Sequence, residues 1–197
     1  MTQTKTTIDT RRLILRAWTE DDAGALYRHA SDPRVGPACG WPPHTSVEDS
    51  RRIIRTALSS PETYALVLKE TGEPVGCASI MSAGSGTAPM REGDASREIG
   101  YWLGAAHWGR GLVPEAVSAL LDRCFTELGC EVVWCGYHEG NDKSRRVQEK
   151  CGFVYHHTEK DKPCSQLPER RTEHFTRMTR AQWARLRGIV EGGEDDV

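Results

Sequence analysis

The chain has 197 residues, 27% of them charged, and a formal net charge of −2, so no broad positive field is available to hold a nucleic acid or an acidic membrane surface. Hydrophobic residues make up 38% of the sequence, in short stretches that fall well below the roughly 20 residues of a membrane span. Seven cysteines with no Cys-x-x-Cys pair point away from a disulfide framework or a zinc ribbon, and the polar start from Met1 to Thr6 has no signal-peptide stretch, so reduced thiols and a cytoplasmic location are expected.

In chain order, Leu13-Ile14-Leu15-Arg16-Ala17-Trp18 has the character of a short strand. Thr19 before Glu20, Asp21 and Asp22 marks a helix start with acids in its first turn, and that helix runs to about Ala30, where Asp32-Pro33 stops it. Residues 36–44, with Gly36-Pro37 and Trp41-Pro42-Pro43-His44, read as a rigid turn-rich connection that is neither helix nor inner strand. Ser46 begins a second helix with Val47, Ile53, Ile54, Ala57 and Leu58 on its apolar face. Residues 64–68 and 75–81 form a hairpin, residues 82–95 an exposed Gly/Ser/Pro-rich loop, and residues 98–103 a further strand.

From Glu115 to Leu128, the residues Ala116, Val117, Leu120, Leu121, Cys124 and Phe125 repeat at helical spacing up to Gly129. Residues 132–135 are a compact strand, residues 142–150 a helix closed by Gly152, residues 153–157 and 173–178 two more strands, and residues 180–190 a terminal helix. This mixture predicts an α/β (α+β) fold: a mostly antiparallel central sheet of about seven strands with helices on both faces, and parallel pairing where the helix after residue 115 crosses between strands. One domain over residues 1–190 and a disordered acidic tail over residues 191–197 are expected.

The step from the strand at 98–103 through Gly109-Arg110-Gly111 into a helix suits an anion: glycines let backbone approach closely, and the free amides of a first helical turn meet negative oxygens. Two glycines before a helix also make an ordinary tight turn. A Walker loop is excluded by the lack of Gly-Lys-Ser or Gly-Lys-Thr at the required spacing, and a dinucleotide fingerprint by Pro114 where a third glycine belongs.

Taken in order and spacing, Arg12-Leu13-Ile14-Leu15-Arg16, Glu98-Ile99-Gly100-Tyr101-Trp102-Leu103, Trp108-Gly109-Arg110-Gly111-Leu112-Val113-Pro114-Glu115-Ala116, Asn141-Asp142-Lys143-Ser144 and Lys150-Cys151-Gly152-Phe153 resemble the GNAT superfamily of N-acetyltransferases, in its branch of ribosomal-protein alanine N-acetyltransferases. The resemblance implies a sheet splayed in the middle and transfer of an acetyl group from acetyl-CoA to a primary amine, most of all a protein N-terminal α-amine. A small-molecule acceptor, a longer acyl group such as succinyl, and a non-catalytic acyl-CoA sensor are the alternatives. No metal, nucleic acid or membrane partner is implied, and a homodimer is allowed.

Residue by residue, the resemblance places the coenzyme A pyrophosphate on Trp108, Gly109, Arg110, Gly111, Leu112 and Val113. Trp108 and Val113 depart from the superfamily's loop pattern, but backbone amides do the binding. Ile99, Gly100, Tyr101, Trp102 and Leu103 would pair with the pantetheine arm along the splay, facing residues 132–135, with Asn141 hydrogen-bonding that arm and the amide near Tyr101 meeting the thioester oxygen. Glu98 is the expected base, at the mouth of the splay, with His138 as runner-up; each has an ordinary surface role as its rival. Many relatives carry an acidic Tyr seven residues after the asparagine, but that position is Gln148 here, so Ser144 is the candidate for hydrogen-bonding the sulfur. Trp41 and His44 fall in the connection that covers the acceptor site in relatives. His156, His157, His174 and Cys164 lack tight ligand spacing and read as surface decoration.

Overall fold

The computed structural model describes residues 6–164 and 166–189; the expected acidic tail and the last residue of the predicted terminal helix lie outside them. Strand β1 (Ile8–Asp9) and β2 (Leu13–Ala17) lead into helix α1 (Ala23–Ala30) and helix α2 (Val47–Thr56). Strands β3 (Thr63–Leu68), β4 (Pro74–Met81) and β5 (Ser96–Leu103) follow, then helix α3 (Leu112–Thr126), β6 (Val132–His138), α4 (Asp142–Cys151), β7 (Val154–Pro163), β8 (Arg170–Thr179) and α5 (Arg180–Leu186).

The strands form one sheet of eight in the order β1-β2-β3-β4-β5-β6-β8-β7. Every neighbouring pair is antiparallel except β5–β6, which the α3 crossover makes parallel. The seven predicted strands are all present, and two-residue β1 extends the sheet at one edge.

Buried alternation explains the layering. Along β3, Tyr64, Leu66 and Leu68 join the cluster under α3, with Leu13, Leu15, Ile99, Leu120 and Phe125. Ala65 and Val67 face the other way, into a smaller cluster with Trp18, Leu26, Ile54 and Cys77 under α1 and α2. Trp183 and Ala184 of α5, with Val147 and Cys151 of α4, complete the α3 side.

Several boundaries differ from expectation for identifiable reasons. Helix α3 begins three residues early, because Gly111 takes the left-handed conformation at its cap (φ 73) and Pro114, within the first turn, forfeits no intrahelical bond. The buried stripe of α2 is only Ser50 and Ile54; Val47 is 38% exposed, so the five-residue apolar face was drawn too wide. Pro37–Cys39 closes a single 3-10 turn inside the connection expected to hold no helix. Strands β6, β7 and β8 are longer than their apolar cores, because backbone pairing continues through charged and polar residues. Helix α5 ends at Leu186, before a turn at Gly188 (φ 66). All seven cysteines are free thiols, and no helix among the described residues is long and apolar enough to cross a membrane.

Two glycines test how tightly β4 and β5 are packed. A Cβ at Gly76 would stand 2.5 Å from the Trp102 carbonyl oxygen, whereas one at Gly24, exposed within α1, meets nothing within 4 Å. Gly76→Ala is expected to lower stability by about 1–3 kcal/mol by prising the strands apart, and Gly24→Ala to raise it by about 0.5–1 kcal/mol. Urea unfolding of both variants checks the opposite signs.

Candidate active site

Strands β5 and β6 pair over three rungs only, Ser96–Val132, Arg97–Val133 and Glu98–Trp134, and then diverge. The splay therefore opens at Glu98, and the part of β6 that faces it is Cys135 to His138, three residues beyond the expected Val132–Cys135. Gly104 N–H donates to the Val75 carbonyl at 2.8 Å, which sets the alternation along β5: residues 100 and 102 bond β4, while 99, 101 and 103 turn their backbone groups toward the splay. Two of those carbonyls are already met, Ile99 O by the Cys135 thiol at 3.1 Å and Leu103 O by the Trp108 indole N–H at 2.8 Å. Tyr101, between them, presents both its N–H and its C=O to the opening.

Glu98 lies on the face shared with Gly100 and Trp102 and is 4% exposed. Its Oε2 accepts from the backbone N–H groups of Thr87 (2.6 Å) and Ala88 (2.7 Å), and a side chain at Gly86 would collide with it. Its Oε1 is 3.0 Å from the Thr87 hydroxyl, which also lies 2.8 Å from Oε1 of Glu173 on β8. Burial raises the Glu98 carboxyl above its ordinary range, more than the amides and hydroxyl lower it, and the Glu173 charge adds to the rise. Residues 82–95, expected to be an exposed loop, thus include a stretch that seals this carboxylate.

On the other face of β5, the Tyr101 hydroxyl is 2.9 Å from Ser144 Oγ and donates to the Ser144 carbonyl at 3.1 Å. Gln148, 1% exposed, ties this pair to the sheet: its amide N–H₂ donates to Gly136 O (2.9 Å) and Ser144 Oγ (3.3 Å), and its carbonyl accepts from Thr176 (2.7 Å). Burial pushes the Tyr101 phenol well above its ordinary range. Asn141 caps α4, accepting from Ser144 N–H at 3.2 Å, while its amide donates to Ala38 O of the α1–α2 connection at 3.2 Å.

The loop before α3 holds Gly109 and Gly111 in left-handed conformations (φ 76 and 73), with open space around Gly109. Leu112 and Val113 bury their side chains, so only their backbone amides can face a ligand. The Arg110 side chain is turned toward His107 and Glu70 at the surface. Lys143 Nζ sits 4.2 Å over the Trp108 ring, adding a cation at the rim. Arg12 is the residue that the spacing of the motifs did not single out. Its guanidinium donates to the carbonyls of Arg110 (2.8 Å) and Gly111 (3.0 Å) while paired to Glu115 at 2.7 Å, which turns those carbonyls back toward the protein.

Trp41 meets Trp102 edge-on at 5.8 Å and His44 at 5.4 Å, and Trp18 stacks on the far side of Trp102 at 6.4 Å. This aromatic wall stands on the Glu98 face of β5. His44 Nδ1 bonds Ser50 Oγ at 2.8 Å, and burial holds its imidazole below the usual range. His138 ends β6 opposite Glu173, on the strand and not on a loop as expected. Its Nδ1 is buried without a partner among the described residues, and burial lowers its affinity for a proton despite Glu173. His156 and His157 contact each other on β7, His174 bonds Thr158, and Cys164 bonds Gly40 O.

The acetyltransferase (GNAT) domain model matches residues 12–154. The uncharacterized N-acetyltransferase p20 of Bacillus licheniformis is 31% identical over 152 residues, covering 75% of this chain and 82% of that protein. Among solved structures, Mycobacterium smegmatis RimJ in complex with CoA-disulfide superposes with a TM-score of 0.69 at 21% identity, over 94% of this chain and 96% of that one. The ribosomal-protein-S5-alanine acetyltransferase of Vibrio fischeri does so at 0.68 and 18% identity, over 90% and 98%.

The Arg12 clamp is open to test without any ligand. Arg12→Ala frees both carbonyls and leaves Glu115 without its cation, so stability should fall by about 1–3 kcal/mol. Amide hydrogen exchange at residues 110–113 should accelerate on the order of tenfold; unchanged exchange there would deny Arg12 its hold on the loop.

Proposed function

The chain belongs to the acetyltransferase (GNAT) family, and from that premise we propose that it acetylates the α-amine at a protein N-terminus. Transfer of an acyl group from acetyl-CoA to an amine is the reaction of the family. The observation that carries the finer reading is the opening beside Tyr101. A single residue offers an N–H and a C=O to an extended partner, with glycine-flanked helix amides at one end of the strand and a sealed carboxylate at the other.

A pantetheine arm carries amides that suit this alternation, and its pyrophosphate suits the loop that Arg12 turns amide-outward. Bound acetyl-CoA supplies the thioester. The chain's part is to place the Tyr101 N–H against the developing oxyanion, to take a proton from the attacking amine at Glu98, and to offer hydroxyls of Ser144 and Tyr101 near the departing sulfur. Asn141 already serves the α4 cap and Ala38, so its bond to the arm replaces the Ala38 contact. Gln148 organises this corner; it cannot donate a labile proton as a tyrosine can.

An α-amine is the acceptor that this apparatus suits best. Its pKa near about 8 leaves a useful neutral fraction at neutral pH, whereas a lysine-type amine near about 10.4 demands a stronger base than a carboxylate. The wall of Trp41, Trp102 and His44 offers apolar surface to a short side chain beside that amine. The named neighbour from Vibrio fischeri, a ribosomal-protein-S5-alanine acetyltransferase, supports the same acceptor class.

Free-thiol release from acetyl-CoA, measured over a panel of peptides and small amines, tests the reading. Peptides with small N-terminal residues should turn over fastest, and N-terminal blocking should abolish the signal. Turnover of small amines alone would overturn the acceptor, and tight coenzyme A binding with no product from any amine would favour a sensor. Glu98→Gln should lower kcat about 100-fold at neutral pH while leaving coenzyme A affinity within about twofold, and an unchanged rate would remove Glu98 from the chemistry.

A further inference from the structure

Glu98 and Glu173 both approach the Thr87 hydroxyl, Glu98 Oε1 at 3.0 Å and Glu173 Oε1 at 2.8 Å. A hydroxyl has one hydrogen to give. Were both carboxylates ionised, one of those oxygens would face hydroxyl lone pairs within hydrogen-bond distance, in a place where both glutamates are nearly dry, 4% and 5% exposed. One proton on the pair removes the conflict, because an acid O–H then donates to Thr87 while Thr87 donates onward.

The surroundings say which side carries it. Glu173 has a cation at 3.1 Å, Lys162 Nζ of β7, which also donates to the Thr87 carbonyl at 2.8 Å and is shared with Glu159. Arg171 of β8 and His138 of β6 lie in the same field, close enough to act on each other's charge. Among the described residues Glu98 has no cation in contact; it faces the Thr87 and Ala88 amides, the Cys135 thiol of β6 and Glu173 itself.

We propose that Glu98 and Glu173 hold one proton between them through the Thr87 hydroxyl, and that Glu173 is the positioning residue that frees Glu98 to take the proton of the acceptor amine. The proposal rests on Glu98 being the base. In the resting pair Glu98 O–H donates to Thr87 Oγ1 and Thr87 O–H to Glu173. As the amine arrives, Thr87 passes its proton to Glu173 and receives that of Glu98. The ionised Glu98 then accepts the proton whose N–H bond breaks, and the pair goes from one proton to two. The second leaves from Glu173 to solvent water at the Lys162 end of the contacts, which is more exposed than Glu173 itself; Lys162, already an ammonium, takes no proton.

Because one proton on the pair is the working state, the acid limb of kcat/KM belongs to the pair and lies below the limb of an isolated buried Glu98. Breaking the relay at either link should therefore move that limb upward by about one pH unit and lower the plateau, in Glu173→Gln and in Thr87→Val alike. Thr87→Ser, which keeps the hydroxyl, should retain the parental limb. If Glu173 only repelled charge on Glu98, Glu173→Gln would move the limb downward, and that sign overturns the relay. A lowered melting temperature with the limb unmoved in both variants overturns it too, leaving a structural bridge. Carbon-13 titration of glutamate carboxyls in the free protein needs no turnover: one neutral carboxyl of the pair at neutral pH is expected, and two ionised ones defeat the proposal even if the enzyme is active. One neutral carboxyl in a protein that acetylates nothing would instead count against the acyltransfer reading alone.

Discussion

Everything that chemistry requires of this chain depends on the parallel pairing of β5 with β6 stopping after three rungs. A strand pair that diverges leaves backbone groups facing a gap, and each buried unmet group costs about 1–3 kcal/mol. The chain limits that cost with side chains, since the Cys135 thiol meets Ile99 O and the Trp108 indole meets Leu103 O. Of the carbonyls at 99, 101 and 103, the one without such a side-chain donor among the described residues is that of Tyr101. The divergence is held from outside by features that a continuous sheet would not need: Gly136 leaves room for the Glu173 carboxylate, and Gln148 reaches from α4 to the Gly136 carbonyl.

Because side chains alternate along β5, the gap separates two chemistries by a single strand. Tyr101 points to the side of α3 and α4, where Ser144, Asn141 and the glycine loop form the proposed acyl-donor side. Glu98 and Trp102 point to the side of α1 and α2, where Trp41, His44 and the Thr87 bridge form the proposed acceptor side. Only the backbone of residues 99–103 belongs to both. A glycine marks the Glu98 face of the strand: at Gly100 the Met81 methyl stands 2.9 Å from where a Cβ would be, so a side chain there would have to push the flexible end of Met81 aside.

The strands and helices were legible because their apolar residues repeat at two and at three to four, and because Gly111, Gly129 and Gly152 mark helix ends through left-handed geometry. The arms of β7 and β8 were not, since Glu159-Lys160-Asp161-Lys162 has no alternation and is strand only because β8 pairs with it. The residues of the proposed donor side lie in local motifs. The long-range contacts were not legible, for a physical reason: Thr87 reaches Glu173 across 86 positions and Arg12 reaches Glu115 across 103. Neither contact has a local periodicity to betray it. Arg12 was visible only as part of a motif, with no hint that its guanidinium would bond the carbonyls of Arg110 and Gly111.

The buried carboxylate is the part of this design that packing alone explains least well. Its folded pKa is raised, so its ionisation opposes folding: any stability it contributes is present below the ordinary carboxyl range and is lost as pH rises through the raised value. A glutamine could accept the same two amides from Thr87 and Ala88 and donate to the same hydroxyl without that loss. A carboxyl in its place has a physical use only if a proton must move there, and sharing one proton with Glu173 makes the charge cheaper to bury, because the pair then carries a single negative charge beside Lys162. The same bridge that anchors residues 87–88 therefore sets the protonation state on which the proposed role of Glu98 as base depends.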